Sequence, residues 1–272
     1  MDCLIQLAAT PQQHGNNVDS SIDINNENWD VCPTCRQDYT GKVRLGLARA
    51  RWDLVRDAPR HDWERLNALD RLASALQECT LDNEGALALF REVLEISREV
   101  DGDEDANTLV SMNNLASLLY AQGQLEEAAP LYRRALEAQE RTLGAEHPDT
   151  LATAGNLANT LSRQGKYAEA EAIFRKTLAA TKRVLGDEHR NTLAVAMNLA
   201  GALNSRGKYA EATPMYREIL TIERRELGEE LNNGPPLQFA VPIQRIGTKV
   251  GVIRRLEEDA KPAPHEANGN SI

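Results

Sequence analysis

Three sets of residues in this chain have the types and spacing to do chemistry. The first is Cys32-Pro33-Thr34-Cys35, in the stretch running from Val31 to Gly41. A Cys-Pro-x-Cys turn presents two thiolates from one tight knuckle, as a tetrahedral zinc site requires. Two ligands make half a site, and the remaining candidates are Cys3 and His14, both upstream. The second set is a row of amides, Asn114, Asn156 and Asn198, repeated every 42 residues. Each amide offers a donor and an acceptor, which is what a polypeptide backbone asks of a partner. The third set is His147 and His189, again one 42-residue step apart. No carboxylate or thiol pattern accompanies them, so they are expected to fix loops rather than to bind metal or move protons.

The rest of the chain excludes more than it offers. No nucleophile, base and orienting group occur together in a catalytic pattern. The Gly-Lys-Tyr triplets at 165–167 and 207–209 lack the second Walker glycine and the Ser/Thr, and read as turns. The protein is therefore not expected to be an enzyme. Lys and Arg number 31 against 41 Asp and Glu, a net charge of −10, which argues against a nucleic-acid partner. No apolar run reaches the ~20 residues that span a bilayer. The opening Met1-Asp2-Cys3-Leu4-Ile5-Gln6 lacks the basic start of a signal peptide. A soluble protein of the cytoplasm is the expectation. Aromatic residues make up only 4%, so the core must be built mainly from Leu and Ala, which suits close-packed helices.

The elements that position the amides follow from an ungapped internal repeat. Asn107-Thr108-Leu109, Asn114-Leu115-Ala116, Gly123, Glu127-Ala128, Tyr132, Leu136 and Leu143-Gly144 recur 42 residues later. There they read Asp149-Thr150-Leu151, Asn156-Leu157-Ala158, Gly165, Glu169-Ala170, Phe174, Leu178 and Leu185-Gly186. A third copy begins at Asn191 and closes at Leu227-Gly228, and an imperfect earlier unit, offset by one residue at Leu72-Ala73, precedes them. Each copy divides into two helices. Asp149 is expected to cap a first helix running to about Gln164, and Gly165 to supply the left-handed turn after it. A second helix from about Tyr167 should end at Leu185, before Gly186. Leu157, Ala158 and Leu161 share one face of the first, and Ala170, Phe174 and Leu178 share one face of the second. Neither face can be buried within one pair, so the pairs must stack as a solenoid. Tyr132, Phe174 and Tyr216 then pack between helices, and Cys79 is expected to be a small buried residue.

Asn-Leu-Ala, Gly-x-Tyr-x-Glu-Ala, Tyr/Phe-x-x-x-Leu and the closing Leu-Gly-x-Glu-His-Pro-Asp-Thr resemble the tetratricopeptide repeats of kinesin light chains. The resemblance covers roughly 60% of the chain, Trp63 to Gly228. It implies an all-α, right-handed α-solenoid of about four helix pairs and a scaffold that binds an extended peptide or a partner protein. In such repeats the inner face of the first helix holds the ligand, so Asn113, Asn114, Ser117, Asn156, Asn159, Arg163 and Asn198 are the groove candidates, with Arg163 suited to an acidic ligand residue. The asparagines have a structural alternative, in which each ties neighbouring repeats by bonding a backbone carbonyl. The heptad coiled coil that joins a light chain to the kinesin heavy chain is absent, so that partner is not expected.

The segment from Cys3 to Cys32 and Cys35 resembles the closing part of a variant RING-type zinc domain, in which a His-x-x-Cys pair precedes Cys-Pro-x-Cys. The matching His would lie before Met1, and the family's alternation assigns Cys3 and the Cys32/Cys35 pair to different zinc ions, each incomplete. The chain is thus expected to need no cofactor, or to bind at most one zinc ion weakly. The alternative function is a RING-type ubiquitin ligase-like protein, truncated or decayed, that captures substrates with the array. The expected organisation is a RING-like segment and loop over 1–41, a connecting helix over 42–62 ending before Pro59, the array over 63–230 and a poorly ordered extension over 231–272. Within the array the pairs occupy 63–106, 107–148, 149–190 and 191–230, while 237–256 is ambiguous between strands and a capping helix.

Overall fold

A repeating polar residue starts each first helix. At one register position stand Asp62, Asp105, His147 and His189, and each accepts from a backbone N–H of the turn that follows. Arg65 N–H reaches Asp62 Oδ1 at 3.0 Å and Asn107 N–H reaches Asp105 Oδ1 at 2.8 Å. The imidazole Nδ1 atoms of His147 and His189 accept from Asp149 and Asn191 N–H at 3.2 and 3.1 Å. Each satisfies a donor that the helix itself leaves unpaired. The cap expected at Asp149 thus lies two residues earlier, because Pro148 can occupy the first helical position and His147 has a ring nitrogen to offer. The two histidines do fix loops.

The computed structural model of the chain describes residues 40–79 and 82–233, with the side chains of 224 and 226–233 excepted. Cys3, His14, Cys32, Cys35, the 1–39 segment and the stretch 237–256 lie outside the described residues. Those described are all helix and turn, without a strand. They form two compact units that divide between Gln122 and Gly123.

The first unit contains α1 (Gly41–Val55), α2 (Trp63–Cys79), α3 (Asn83–Val100) and α4 (Ala106–Ala121), each packed on the next. Leu69, Phe90, Ile96, Met112 and Leu118 are its most buried side chains. The connecting helix is present as α1 and stops before Pro59. Asp82 caps α3 through Gly85 N–H at 2.9 Å, and a Cβ on Gly85 would fall 2.5 Å from that carboxylate, so glycine is what the cap demands there. Cys79 ends α2 and is part-buried, not fully buried as expected.

The second unit contains α5 (Leu125–Thr142), α6 (Pro148–Arg163), α7 (Tyr167–Leu185), α8 (Arg190–Ser205) and α9 (Tyr209–Asn233). Consecutive helices pack, and α6 also meets α8, the first helix of the next pair. Ala158 and Ala170 are fully buried, and Phe174 fills the space beside them at 1% exposure. Tyr132 and Tyr216, at the equivalent positions of α5 and α9, are buried as well. Gly165, with φ +78°, turns the chain from α6 into α7. Gly186, with φ +92°, ends α7. Gly228 has the same register but no stop follows: α9 continues to Asn233, through 231–233, which were expected to lie beyond the array. Leu231 stands where the next capping histidine would recur.

Candidate peptide-binding face

In the first unit, the candidate face is carried by α2 and α4. Asn114 lies on α4, and its Nδ2 donates to Asp70 Oδ1 on α2 at 3.1 Å. Asp70 is half-buried, and that burial raises its carboxyl above the usual value; the Asn114 amide and the Arg71 charge pull it part of the way back. The structural alternative for the asparagines therefore holds at Asn114, with a carboxylate in place of a backbone carbonyl as the acceptor. Asn113 and Ser117 are half-buried on the same helix. At the ladder position of α2 itself stands Arg71, whose Nε donates to Asn67 Oδ1 at 2.7 Å.

In the second unit the equivalent helices are α6 and α8. Asn156, Asn159 and Arg163 follow one another at helical spacing on α6, where Asn156 and Arg163 are exposed and Asn159 is half-buried. Asn198 is half-buried on α8. Among the described residues, the side chains of Asn156 and Asn198 make no hydrogen bond; the Asn156 carbonyl accepts from Thr160 Oγ1 within the helix. A Cβ placed on Gly155, one residue before Asn156, would have nothing within 4 Å.

The junctions between successive helix pairs are held by other contacts. Gln122 and Gln164 end α4 and α6, and their Nε2 atoms donate to Asn83 O at 3.1 Å and Leu125 O at 2.9 Å. Arg206 holds that register after α8, and it pairs instead with Glu171 of α7. Lys208 Nζ lies 2.9 Å from Glu171 Oε1, and Arg175 Nε donates to the same oxygen at 3.0 Å. Burial alone would raise the Glu171 pKa, but the hydrogen bonds from Lys208, Arg175 and Arg206 reverse this and hold it at about 2. Neither Asp70 nor Glu171 was foreseen as a partner. The signal was available in the internal alignment: Arg206 breaks a Gln–Gln series, and Glu171 is the one charged residue at a position that reads Leu87, Ala129 and Thr213 in the other copies.

Among the described residues, no three His, Cys, Asp or Glu side chains gather as a metal site. Nor is any described helix long and apolar enough to cross a membrane. The tetratricopeptide repeat family matches residues 64–141, 112–182 and 149–225, overlapping segments that together span more than half of the chain. The chain belongs to the tetratricopeptide repeat family. Among solved structures, the tetratricopeptide array is similar to the nearly identical kinesin light chain TPR-like repeats of Podosopora anserina. That pair shares 26% identity over 67% of this chain and 86% of the other, with a TM-score of 0.61. BtubC from P. vanneervenii is 20% identical over 86% of this chain and 99% of its own, with a TM-score of 0.58, and shares the fold. RapI, in its apo form, shares it too, at 17% identity over 80% and 77% of the two chains and a TM-score of 0.50. No curated protein matches this chain significantly.

Proposed function

We propose that this array is a protein-interaction scaffold that binds an extended polypeptide segment along the faces of its first helices. Asn156 and Asn198 carry the reading: they stand at one register position on two packed helices, and their amides have no partner among the described residues. Stacked helix pairs repeat one face at a fixed step, which creates extended binding surfaces. An amide at each step meets successive stretches of backbone with a donor and an acceptor. In the second unit Asn159 and Arg163 extend the face, Arg163 supplying a cation for an acidic ligand residue. In the first unit Asn114 and Ser117 hold the positions of Asn156 and Asn159, with Asn113 beside them. The partner is a protein or peptide; a net charge of −10 disfavours nucleic acid. The cytoplasm suits the protein, because Cys79, a free part-buried thiol, would stay reduced there.

The test uses the full chain and a peptide selected on it from a random phage-displayed library. Replacing Asn156 by Ala should weaken that peptide by about 1 kcal/mol or more, since its backbone loses a hydrogen bond on desolvation. A melting temperature lower by several degrees with unchanged affinity would make the asparagine a structural tie and send the search for a binding surface elsewhere.

A further inference from the structure

The chain treats its own ladder differently in the two units, and one residue position accounts for it. The internal repeat places Asp70, Asn113, Gly155 and Met197 in one register, each immediately before the ladder residue of its helix. In the first unit this position closes the ladder: the Asp70 carboxylate accepts the Asn114 amide of the next first helix at 3.1 Å. The step from α6 to α8 in the second unit repeats the step from α2 to α4, but Gly155 replaces the aspartate. With no side chain at Gly155, the amide of Asn198 lacks an intramolecular acceptor, and none replaces it among the described residues.

Glycine is the least favourable residue after proline inside a helix, so its presence in mid-α6 calls for a reason. Close packing does not supply one, because a Cβ there would meet nothing within 4 Å. Backbone strain does not either, since Gly155 is absent from the positive-φ glycines of the chain. We propose that Gly155 is the position that determines which part of the ladder is open to a ligand. It leaves Asn198 unpaired and lets a peptide backbone approach α6 where a side chain would hold it off. The occupant is an extended segment that is uncharged where it crosses Ala152, Gly155, Asn156, Asn159, Met197 and Asn198 and acidic only toward Arg163 at the end of α6. This inference rests on the reading of the array as a peptide binder and assigns the binding to the second unit.

The experiment has an arm that needs no ligand. In Gly155→Asp, the side-chain amide of Asn198 should move in ¹⁵N-resolved NMR spectra toward the shifts of the hydrogen-bonded Asn114 amide. An Asn198 amide unchanged from wild type overturns the proposal. The second arm is fluorescence anisotropy, in which a fluorescein-labelled 12-residue peptide, selected on the full wild-type chain from a random phage-displayed library, is titrated with each variant. Gly155→Asp should weaken it more than tenfold. Gly155→Ala should raise the melting temperature and still weaken the peptide severalfold. Binding within twofold of wild type in both variants, while Asn198→Ala weakens it, overturns the role of Gly155 and leaves the peptide-binding reading intact. If Asn156→Ala and Asn198→Ala both bind as wild type, the reading itself falls, and this proposal with it. Should the aspartate prevent folding, Gly155→Asn supplies the same acceptor in neutral form, with the same outcomes.

Discussion

The two units of this array share a helix plan and differ in how they use it. Asn114 in the first unit is held by the half-buried Asp70, whereas in the second Gly155 stands at the register of Asp70 and the Asn198 amide has no hydrogen bond among the described residues. The junctions differ in the opposite sense. The first unit secures its junction with a neutral contact, Gln122 to the Asn83 carbonyl. The second adds a charged one, in which Arg206, Lys208 and Arg175 surround Glu171. The unit with the open face thus carries a charged cluster at a junction that the first unit makes with a neutral contact. A stacked repeat can keep its packing positions constant while two other positions decide, separately, what is free for a ligand and what holds the stack together.

The comparison assumes that both cores are built alike, and the largest expected effect tests that. Phe90 and Phe174 share one register and are each 1% exposed. Truncating either to Ala should cost about 3–5 kcal/mol, read from denaturant unfolding. A loss near zero for one of them would break the equivalence of the units. Next in size is the charged junction. Glu171→Ala takes the shared carboxylate from Arg206, Lys208 and Arg175, of which the last two keep Glu211, and because those cations are about a third to half exposed, the cost should be about 1–3 kcal/mol. Gln164→Ala, at the neutral junction of the same unit, should cost about 1 kcal/mol. Equal losses would remove the distinction between the two kinds of junction.

Acid should act on the units with opposite signs. The Glu171 pKa falls from 4.5 to about 2 on folding, so its contribution is present above 4.5 and is lost as pH drops toward 2. Asp70 is raised above 3.8 by burial, so the folded first unit takes up its proton more readily, and its penalty fades as pH falls through that raised value. Unfolding followed from pH 5 to pH 2 should show a shallower acid loss in Glu171→Gln than in wild type and a steeper one in Asp70→Asn. Parallel curves for all three proteins would contradict both assignments. The smallest expected difference concerns the ladder itself. Asn114→Ala should cost about 1 kcal/mol because it strips the half-buried Asp70 of its donor. Asn198→Ala should cost nothing, or gain a few tenths of a kcal/mol from the better helix former. Equal destabilisation would show that Asn198 is tied as Asn114 is.

Much of this was legible in the repeat. The 42-residue step exposes the helix pairs, the turn at Gly165 and the burial of Phe174, because packing constraints recur with every copy. The cap was misplaced onto Asp149 because a carboxylate is the commoner capping group, while His147 acts through a ring nitrogen. The end of α9 was misplaced because Gly228 copies the glycine that ends α7 at Gly186, while the helix runs on to Asn233. Polar partners between repeats were harder to read. The one-residue offset of the earliest unit hides Asp70 from its register, and Glu171 is informative only beside the Gln122, Gln164 and Arg206 series.

The open asparagines of the second unit, and not the closed one of the first, should receive the ligand. Side-chain amide spectra of the ¹⁵N-labelled full chain, recorded while the selected 12-residue peptide is added, read all three residues at once. The predicted result is saturating shifts for Asn156 and Asn198 with Asn114 unmoved. Shifts at Asn114 with Asn156 and Asn198 unmoved would contradict it.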